Sequence, residues 1–304
     1  MPLIIADKEI AVAGKFFRTA KLRHEWCDFL DDAPGTVEQM QRGRHIADLF
    51  TFVHDICDDP VTYGFYKESA SLAVLPITTY QQWWDDMGFK ARNKVRKGQK
   101  SGVELRVVHL HNDFAKGVEG IYNETPVKQG RRFYHYGKKA GEIKEELSSF
   151  LDRCFLVGAY YRNELIGFMK LFHGKNVLRT IHIIAKIAHR DKCVMDALIA
   201  EAVKLCDQNE VGYLHYGSWS EGGIGDFRTK HGFRRVEVPR YFVPLTTRGK
   251  LMLKLKLHHP IREHLPESLV RPLIDLRAKL NSIRYWPSKV KHLPIAEINL
   301  RRGG

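Results

Sequence analysis

Two histidines lie in apolar segments with the alternation of β-strands, where an imidazole could transfer protons. His182 lies in residues 179–186 and His215 in residues 213–219. A histidine has an unperturbed pKa near 6.5, which suits proton abstraction at neutral pH. The alternative is that both are structural histidines of a packed sheet, and the sequence does not settle the strand register that would bring them together.

A second set of residues has the spacing of a phosphate-binding helix. Arg92, Arg96 and Lys100 recur every four residues, and Lys94 and Lys97 flank them with no acidic residue between. Such a cationic stripe favours a phosphate-rich ligand, and a solvated basic helix is the alternative.

A basic turn precedes another predicted helix. His189, Arg190 and Lys192 lie just before the helical pattern that ends near Asn209. The start of a helix attracts anions, so donor phosphates could bind here. Asp191 lies between the basic residues, where it would repel a phosphate or cap the helix.

These residues need a scaffold, and the periodicity between residues 103 and 245 supplies one. We predict a strand (103–110), two helices (113–124, 142–151), three strands (154–161, 165–172, 177–187), a helix (194–209), a strand (213–219), a helix (224–231) and a strand (235–245). A hairpin meander followed by crossover helices gives a mixed sheet. Upstream we predict strands at 15–19 and 47–53, a helix between them, and a long loop over 55–71.

Composition limits the class of protein. The 304 residues suffice for two domains, or for one enlarged domain with an extension. Five widely spaced cysteines indicate neither a disulfide framework nor a structural zinc site, and we expect no metal. The N-terminal residues lack the apolar core of a signal peptide and no apolar run is long enough to span a bilayer, so we expect a cytoplasmic protein.

The net charge of +14 favours a polyanionic partner: RNA, an acidic membrane surface or a phosphorylated substrate. Residues 248–304 hold 13 Lys and Arg against 4 Asp and Glu, which is +9 of the total. An apolar stripe runs through this tail at Leu269, Leu273, Leu276, Leu280 and Ile283. It could dock on its own domain, or lie on an anionic membrane and keep the protein at the inner face.

The element order of residues 103–245, with Arg228 to Phe233 (RTKHGF) at the last helix, resembles a complete GNAT acyltransferase domain. Residues 72–76 (LAVLP) and the basic helix after them are similar to the Fem-like branch, and the likeness covers residues 45 to 245. It implies an α+β fold, a GNAT-like mixed sheet flanked by helices. The regions would be a reduced N-terminal GNAT-like region (1–102) ending in the basic helix, a GNAT-like acyltransferase domain (103–247) and a basic, partly helical C-terminal extension (248–304).

The resemblance implies transfer of an aminoacyl or acyl group to an amine by direct attack, with no tightly bound cofactor. The donor would be aminoacyl-tRNA or acyl-CoA, and the acceptor an amine on a small molecule, sugar, lipid or peptide. Asp191, Cys193 and Met195 stand where acyl-CoA users usually have glycines, which favours the tRNA donor. Alternatives are an acyl-CoA-dependent N-acetyltransferase and a non-catalytic RNA- or membrane-binding protein of the same fold.

Site residues follow from the same resemblance. His182 would be the general base, with His215 or Tyr241 as the alternative candidates. Arg228 occupies the position where the superfamily usually has a tyrosine general acid, and there it could bind phosphate or an oxyanion. The expected donor site comprises Arg92, Arg96, Lys97, Lys100, His189, Arg190, Lys192 and Arg228. The expected acceptor groove comprises Tyr134, His135, Tyr136, Tyr216 and Ser218.

Overall fold

The structure is a computed structural model that describes residues 3–43, 46–57, 62–128, 130–259 and 267–285. Internal contacts divide the chain into two units. The first combines Met1–Ile121 with Lys139–Pro260, and the second combines Tyr122–Lys138 with Ile261–Gly304. None of the helices in the described ranges combines the length and the apolar character that crossing a membrane requires.

The described part of the first unit is built on one mixed sheet. The strands of the chain are β1 (Leu3–Ile5), β2 (Lys8–Ala13), β3 (Thr19–Leu22), β4 (Leu49–Val53), β5 (Tyr66–Pro76), β6 (Glu104–Val108), β7 (Val127–Lys128), β8 (Arg131–Arg132), β9 (Cys154–Tyr161), β10 (Glu164–His173), β11 (Val177–Ala185), β12 (Tyr213–Ser218) and β13 (Arg234–Pro244). Eleven of them form the sheet, in the spatial order β1-β2-β3-β4-β13-β5-β12-β11-β10-β9-β6.

All but the last of the described helices flank this sheet, and the last belongs to the second unit. The helices are α1 (Ala33–Arg42), α2 (Tyr80–Asp86), α3 (Phe89–Lys100), α4 (Asn112–Tyr122), α5 (Ala140–Leu147), α6 (Val194–Gln208), α7 (Gly223–Lys230), α8 (Thr247–Lys254) and α9 (Glu267–Tyr285). Local signals start several of them. The side chain of Asp32 accepts a hydrogen bond from the Gly35 N–H (2.9 Å) at the start of α1, and Thr79 caps α2 in the same way.

The order of elements predicted for residues 103–245 is confirmed. Apart from the two short strands β7 and β8, which were not predicted, the strands and helices from β6 to β13 follow in the expected sequence, and their ends shift by a few residues. The turn between β9 and β10 has Arg162 and Asn163 at φ 49° and 65°, which is the left-handed backbone of a type I′ hairpin turn.

The upstream predictions are partly wrong. Residues 66–71 belong to β5 and not to a long loop; their polar side chains gave no apolar alternation because this half of the strand is largely exposed. The strand expected at 15–19 begins only at Thr19, and β1 and β2 were not predicted.

β5 connects the two halves of the sheet. It pairs antiparallel with β12 on one side and with β13 on the other, so a strand from the first hundred residues lies between the last two strands of the chain. On one face, α3 and α6 pack over a core that includes Val95, Leu178 and Leu198. A second core, around Phe50, Phe52 and Tyr241, fills the N-terminal half.

The second unit contains β7, β8 and α9. The side chain of Asn281 donates a hydrogen bond to the Gly130 carbonyl (3.2 Å), which attaches α9 to the turn between the two strands. In the predicted apolar stripe, Leu276, Leu280 and Ile283 are more than half exposed. The side chains of Leu269 and Leu273 lie outside the described residues.

Candidate active site at the opening of the sheet

The sheet opens between β11 and β12. These parallel strands pair only where Val177, Leu178 and Arg179 face Tyr213, Leu214 and His215. Beyond these pairs, residues 180–185 of β11 and 216–218 of β12 diverge; we call this gap the opening. It lies at the carboxyl ends of both strands, where ligands of open α/β sheets commonly bind.

A β-bulge determines which residues of β11 share a face. Arg179 pairs with Phe172 of β10 and His182 pairs with Lys170, so the register shifts by one residue between them. Because Lys170 and Phe172 lie on one face of β10, Arg179 and His182 share that face too. The predicted base is therefore half-buried on the strand segment that borders the opening.

A buried ion pair stands at the last pairing position before the opening. Arg179 is 1% exposed and binds Asp55, and the Phe29 ring lies 4.8 Å from its guanidinium. Neither Arg179 nor Asp55 was among the expected site residues. An arginine within a strand of mostly apolar residues was the available signal.

Lys170 is a second buried cation that the sequence analysis missed. It is 1% exposed, and its Nζ donates hydrogen bonds to the carbonyls of Leu147 (2.9 Å) and Ser149 (2.6 Å). Burial lowers its pKa, and the nearby Cys154 and Cys27 act in the opposite direction. Lys170 thus anchors β10, the strand that pairs with β11 at His182, to the end of α5 and the segment after it.

His215 lies on the same face but is fully enclosed. It pairs with Arg179 across the strands, and its ring lies 5.2 Å from that of Trp26. Burial lowers the pKa of His215 to about 3, with further contributions from the charges of Arg179 and Arg228. It is therefore neutral, and a weak base, at neutral pH.

Arg228 holds the end of β12. It is 7% exposed, its Nη1 donates to the Ser218 carbonyl (2.6 Å), and its guanidinium lies 4.6 Å from the Tyr216 ring. Gly217 has φ +70°, a backbone conformation that suits glycine. Burial raises the pKa of Tyr216 to about 12, so its phenol stays protonated. These contacts place Tyr216, Ser218 and Arg228 together on the β12 side of the opening.

The structure brings the two predicted basic segments together. Gly98 of α3 lies against the start of α6: a Cβ added there would be 3.0 Å from both the Ala197 Cβ and the Cys193 carbonyl oxygen. Burial raises the pKa of Cys193, while Lys97 and Lys94 of α3 oppose the rise, which places both lysines near this turn. Lys94, Lys97 and the turn Ile187–Lys192 form what we call the basic surface.

The predicted cationic residues of α3 are divided between two sides of the helix. Arg96 stacks on Trp84 of α2, 5.1 Å from the ring centroid, and bonds to Asn93 (3.4 Å). Arg92 lies on the same flank by helical spacing, whereas Lys97 is on the flank toward α6. Lys100 is exposed at the end of the helix.

The basic turn is a short 3-10 segment that ends in Cys193 with a left-handed φ of 51°. Lys192 pairs with Asp191 (3.2 Å), His189 lies 3.7 Å from Glu164, and Arg190 is exposed. Asp191 does not cap α6, because Cys193 is the capping residue and no side chain bonds to the helix start there.

Tyr134, His135 and Tyr136 belong to the second unit, where the His135 ring packs 4.3 Å from that of Tyr122. Tyr241 is 1% exposed in the N-terminal core, with its ring 5.1 Å from that of Phe52, and lies on β13, which β5 separates from β12.

A cavity of about 410 Å³ lies on the face that carries Arg179. Besides Arg179 and Asp55 it is lined by side chains of both charges, among them Lys8, Asp28, Arg153 and Lys175. It is large enough for a small polar molecule.

No family model and no curated protein matches this sequence. Solved structures do. The chain is similar to the C-terminal domain (DUF2156) of a putative lysylphosphatidylglycerol synthetase from Agrobacterium fabrum, with TM-score 0.55 and 12% identity over 84% of this chain and 87% of that one. It is also similar to L-PGS from Bacillus licheniformis (0.52, 12%, 91% and 89%) and to FemX (0.54, 8%, 76% and 83%).

The chain has the GNAT-like fold in its Fem-like form. At these identities the likeness concerns the fold.

Proposed function

We propose that this protein is a Fem-like N-acyltransferase that moves an aminoacyl or acyl group from a large anionic donor to an amine. The observation that carries the proposal is the packing of α3 on the start of α6 through Gly98. This contact adds Lys94 and Lys97 to the basic turn that follows β11, so positive charge is concentrated beside the opening.

An aminoacyl-tRNA fits this surface better than acyl-CoA. The turn has side chains at Asp191, Cys193 and Met195, and these hinder the close backbone approach that a pyrophosphate needs. An extended run of cations instead suits a longer phosphate backbone. The fold likeness to FemX and to a lysylphosphatidylglycerol synthetase, whose name refers to a lysyl-modified lipid, supports aminoacyl chemistry.

His182 is the proposed general base. The acceptor nitrogen attacks the donor carbonyl carbon and forms the new C–N bond, and its proton passes to His182. When the tetrahedral intermediate collapses, the bond from the carbonyl carbon to the tRNA ribose oxygen breaks. That oxygen takes the proton from His182, which returns to its neutral form.

The acceptor is proposed to enter on the face of β11 that carries Arg179 and His182. The cavity on this face contains Asp28 and Asp55 as well as cations. Asp55 is paired with Arg179 and Asp28 with Lys8 (2.8 Å), so an ammonium group of the acceptor would share these carboxylates with the protein's own cations.

A transfer assay tests the proposal. Labelled aminoacyl-tRNA or acetyl-CoA is offered with one amine of each class: lysine, glucosamine, phosphatidylethanolamine vesicles and a lysine-containing peptide. We expect transfer from aminoacyl-tRNA to one of them. His182→Gln should lower turnover about 10²- to 10⁴-fold and leave tRNA affinity unchanged, because base catalysis acts in the transition state.

His109→Gln is the matched control, since His109 is exposed outside the site. Full turnover of folded His182→Gln would remove His182 from the mechanism. Transfer from acetyl-CoA alone would support the acyl-CoA-dependent alternative, and tRNA binding with no transfer would support the non-catalytic one.

A further inference from the structure

Three side chains that can bind a metal ion lie close together, on the side of β5 that faces away from β12. Two of them are grouped around the carboxylate of the third. Glu68 of β5 has its Oε1 2.9 Å from His258 Nε2 and 3.1 Å from His259 Nε2. One ligand atom from each residue lies within 4.8 Å of the others. Both histidines follow α8, and none of the three belongs to the opening.

The backbone brings the two histidines to β5. After α8 the chain reverses at Lys256, which has φ +54°, and the Leu257 N–H bonds back to the Met252 carbonyl (2.9 Å). This arrangement is a Schellman-type helix end. The His258 ring then packs 4.7 Å from Phe242, which fixes it next to Glu68.

The geometry fits a tetrahedral metal ion. Zinc bonds to histidine nitrogen and carboxylate oxygen of about 2.0–2.2 Å put neighbouring ligand atoms roughly 3.3 Å apart in a tetrahedron. The two separations from Glu68 Oε1, 2.9 and 3.1 Å, are within a few tenths of an ångström of that value. The His258 side chain is 1% exposed, whereas Glu68 and His259 are partly accessible, so an ion can reach the site.

Tyr66 completes the surroundings. Its hydroxyl donates a hydrogen bond to Glu68 Oε1 (2.9 Å), as outer partners of ligating carboxylates commonly do. Two imidazoles and a carboxylate suit zinc and similar divalent transition metals, and do not suit magnesium or calcium, which prefer oxygen ligands.

We propose that Glu68, His258 and His259 form a zinc-class metal site that fastens the segment after α8 to β5. Three protein ligands leave a fourth position for water or another donor. This site does not depend on the proposed transferase activity.

Metal titration of the whole chain tests the site. Chelator-treated protein is titrated with ZnCl₂ by calorimetry and with Co²⁺ by visible absorption, which reports tetrahedral coordination. We expect one tight site per chain, a tetrahedral Co²⁺ spectrum and a higher Tm with zinc. Glu68→Gln should abolish the tight site, and Tyr66→Phe should weaken it about 10- to 100-fold.

His109→Ala, an exposed histidine outside the cluster, should bind as the wild type does. Tyr66→Phe keeps all three metal ligands, so weaker binding by the folded variant would show the effect of the hydrogen bond to Glu68 and not an effect of unfolding. Wild-type protein without a tight site, or Glu68→Gln that still binds one equivalent with the same affinity and spectrum, would overturn the proposal.

Discussion

At the scale of single residues, the environment of His215 makes stability depend on pH. Burial and the charges of Arg179 and Arg228 hold its pKa at about 3 in the folded protein, against about 6.5 in an unfolded chain. Between these values the unfolded chain binds a proton that the folded chain does not, so the free energy of unfolding falls as pH falls.

We therefore expect His215→Leu to flatten the pH dependence of the free energy of unfolding, measured with urea between about pH 7 and pH 4. The slope should decrease by at most about 1.4 kcal/mol per pH unit. His109→Leu, at an exposed position, serves as the control. Equal slopes for the wild type and His215→Leu would mean that His215 binds protons equally in the folded and unfolded states, so that folding does not lower its pKa.

At the scale of elements, the contact between α3 and α6 depends on the absence of a side chain at Gly98. A leucine there would meet the Ala197 methyl group and the Cys193 carbonyl, and backbone cannot move aside as a flexible side chain can. We expect Gly98→Leu to lower the free energy of unfolding by about 1–3 kcal/mol and to weaken polyanion binding, because α3 is displaced.

Gly141 provides the matched substitution. It also lies in a helix, α5, but nothing lies within 4 Å of a Cβ added there. Gly141→Leu should leave stability unchanged or raise it by up to about 1 kcal/mol, because glycine is a poor helix former. If urea unfolding gave the same change in the free energy of unfolding for both variants, the close contact of α3 with α6 at Gly98 would not be what destabilises Gly98→Leu.

At the scale of the whole molecule, the question is whether polyanion binding follows total charge or the basic surface. Lys94→Gln with Lys97→Gln and Lys250→Gln with Lys254→Gln each remove two positive charges from exposed helix positions. If the basic surface binds phosphates, the Lys94 and Lys97 double variant should reduce the slope of log Kd for tRNA against log salt by up to about 2. The Lys250 and Lys254 double variant should leave this slope unchanged.

Fluorescence titration of tRNA at several salt concentrations measures this slope. Equal slopes for the two double variants would assign binding to overall charge and leave the surface beside the opening without a role. The Arg92 and Arg96 flank gives a further comparison, since Arg96 already covers Trp84 and is less available to a ligand.

Local patterns in the sequence predicted most of the elements from residue 103 to 245, the hairpin meander among them, and the excess of positive charge. These features are local: apolar periodicity, capping residues and turn residues act over a few neighbouring positions. The resemblance to the Fem-like branch also came from the sequence, through the LAVLP segment and the basic helix after it.

The way in which these parts combine depends on contacts between distant segments of the chain. The bulge in β11 puts His182 on the face of Arg179, β5 enters between β12 and β13, and Asp55 reaches Arg179 from a distant segment. The meeting of Glu68 with His258 and His259 is of the same kind. Strand order, register and buried charge pairs depend on which distant segments pack together, and side-chain periodicity within one segment carries no information about its partner.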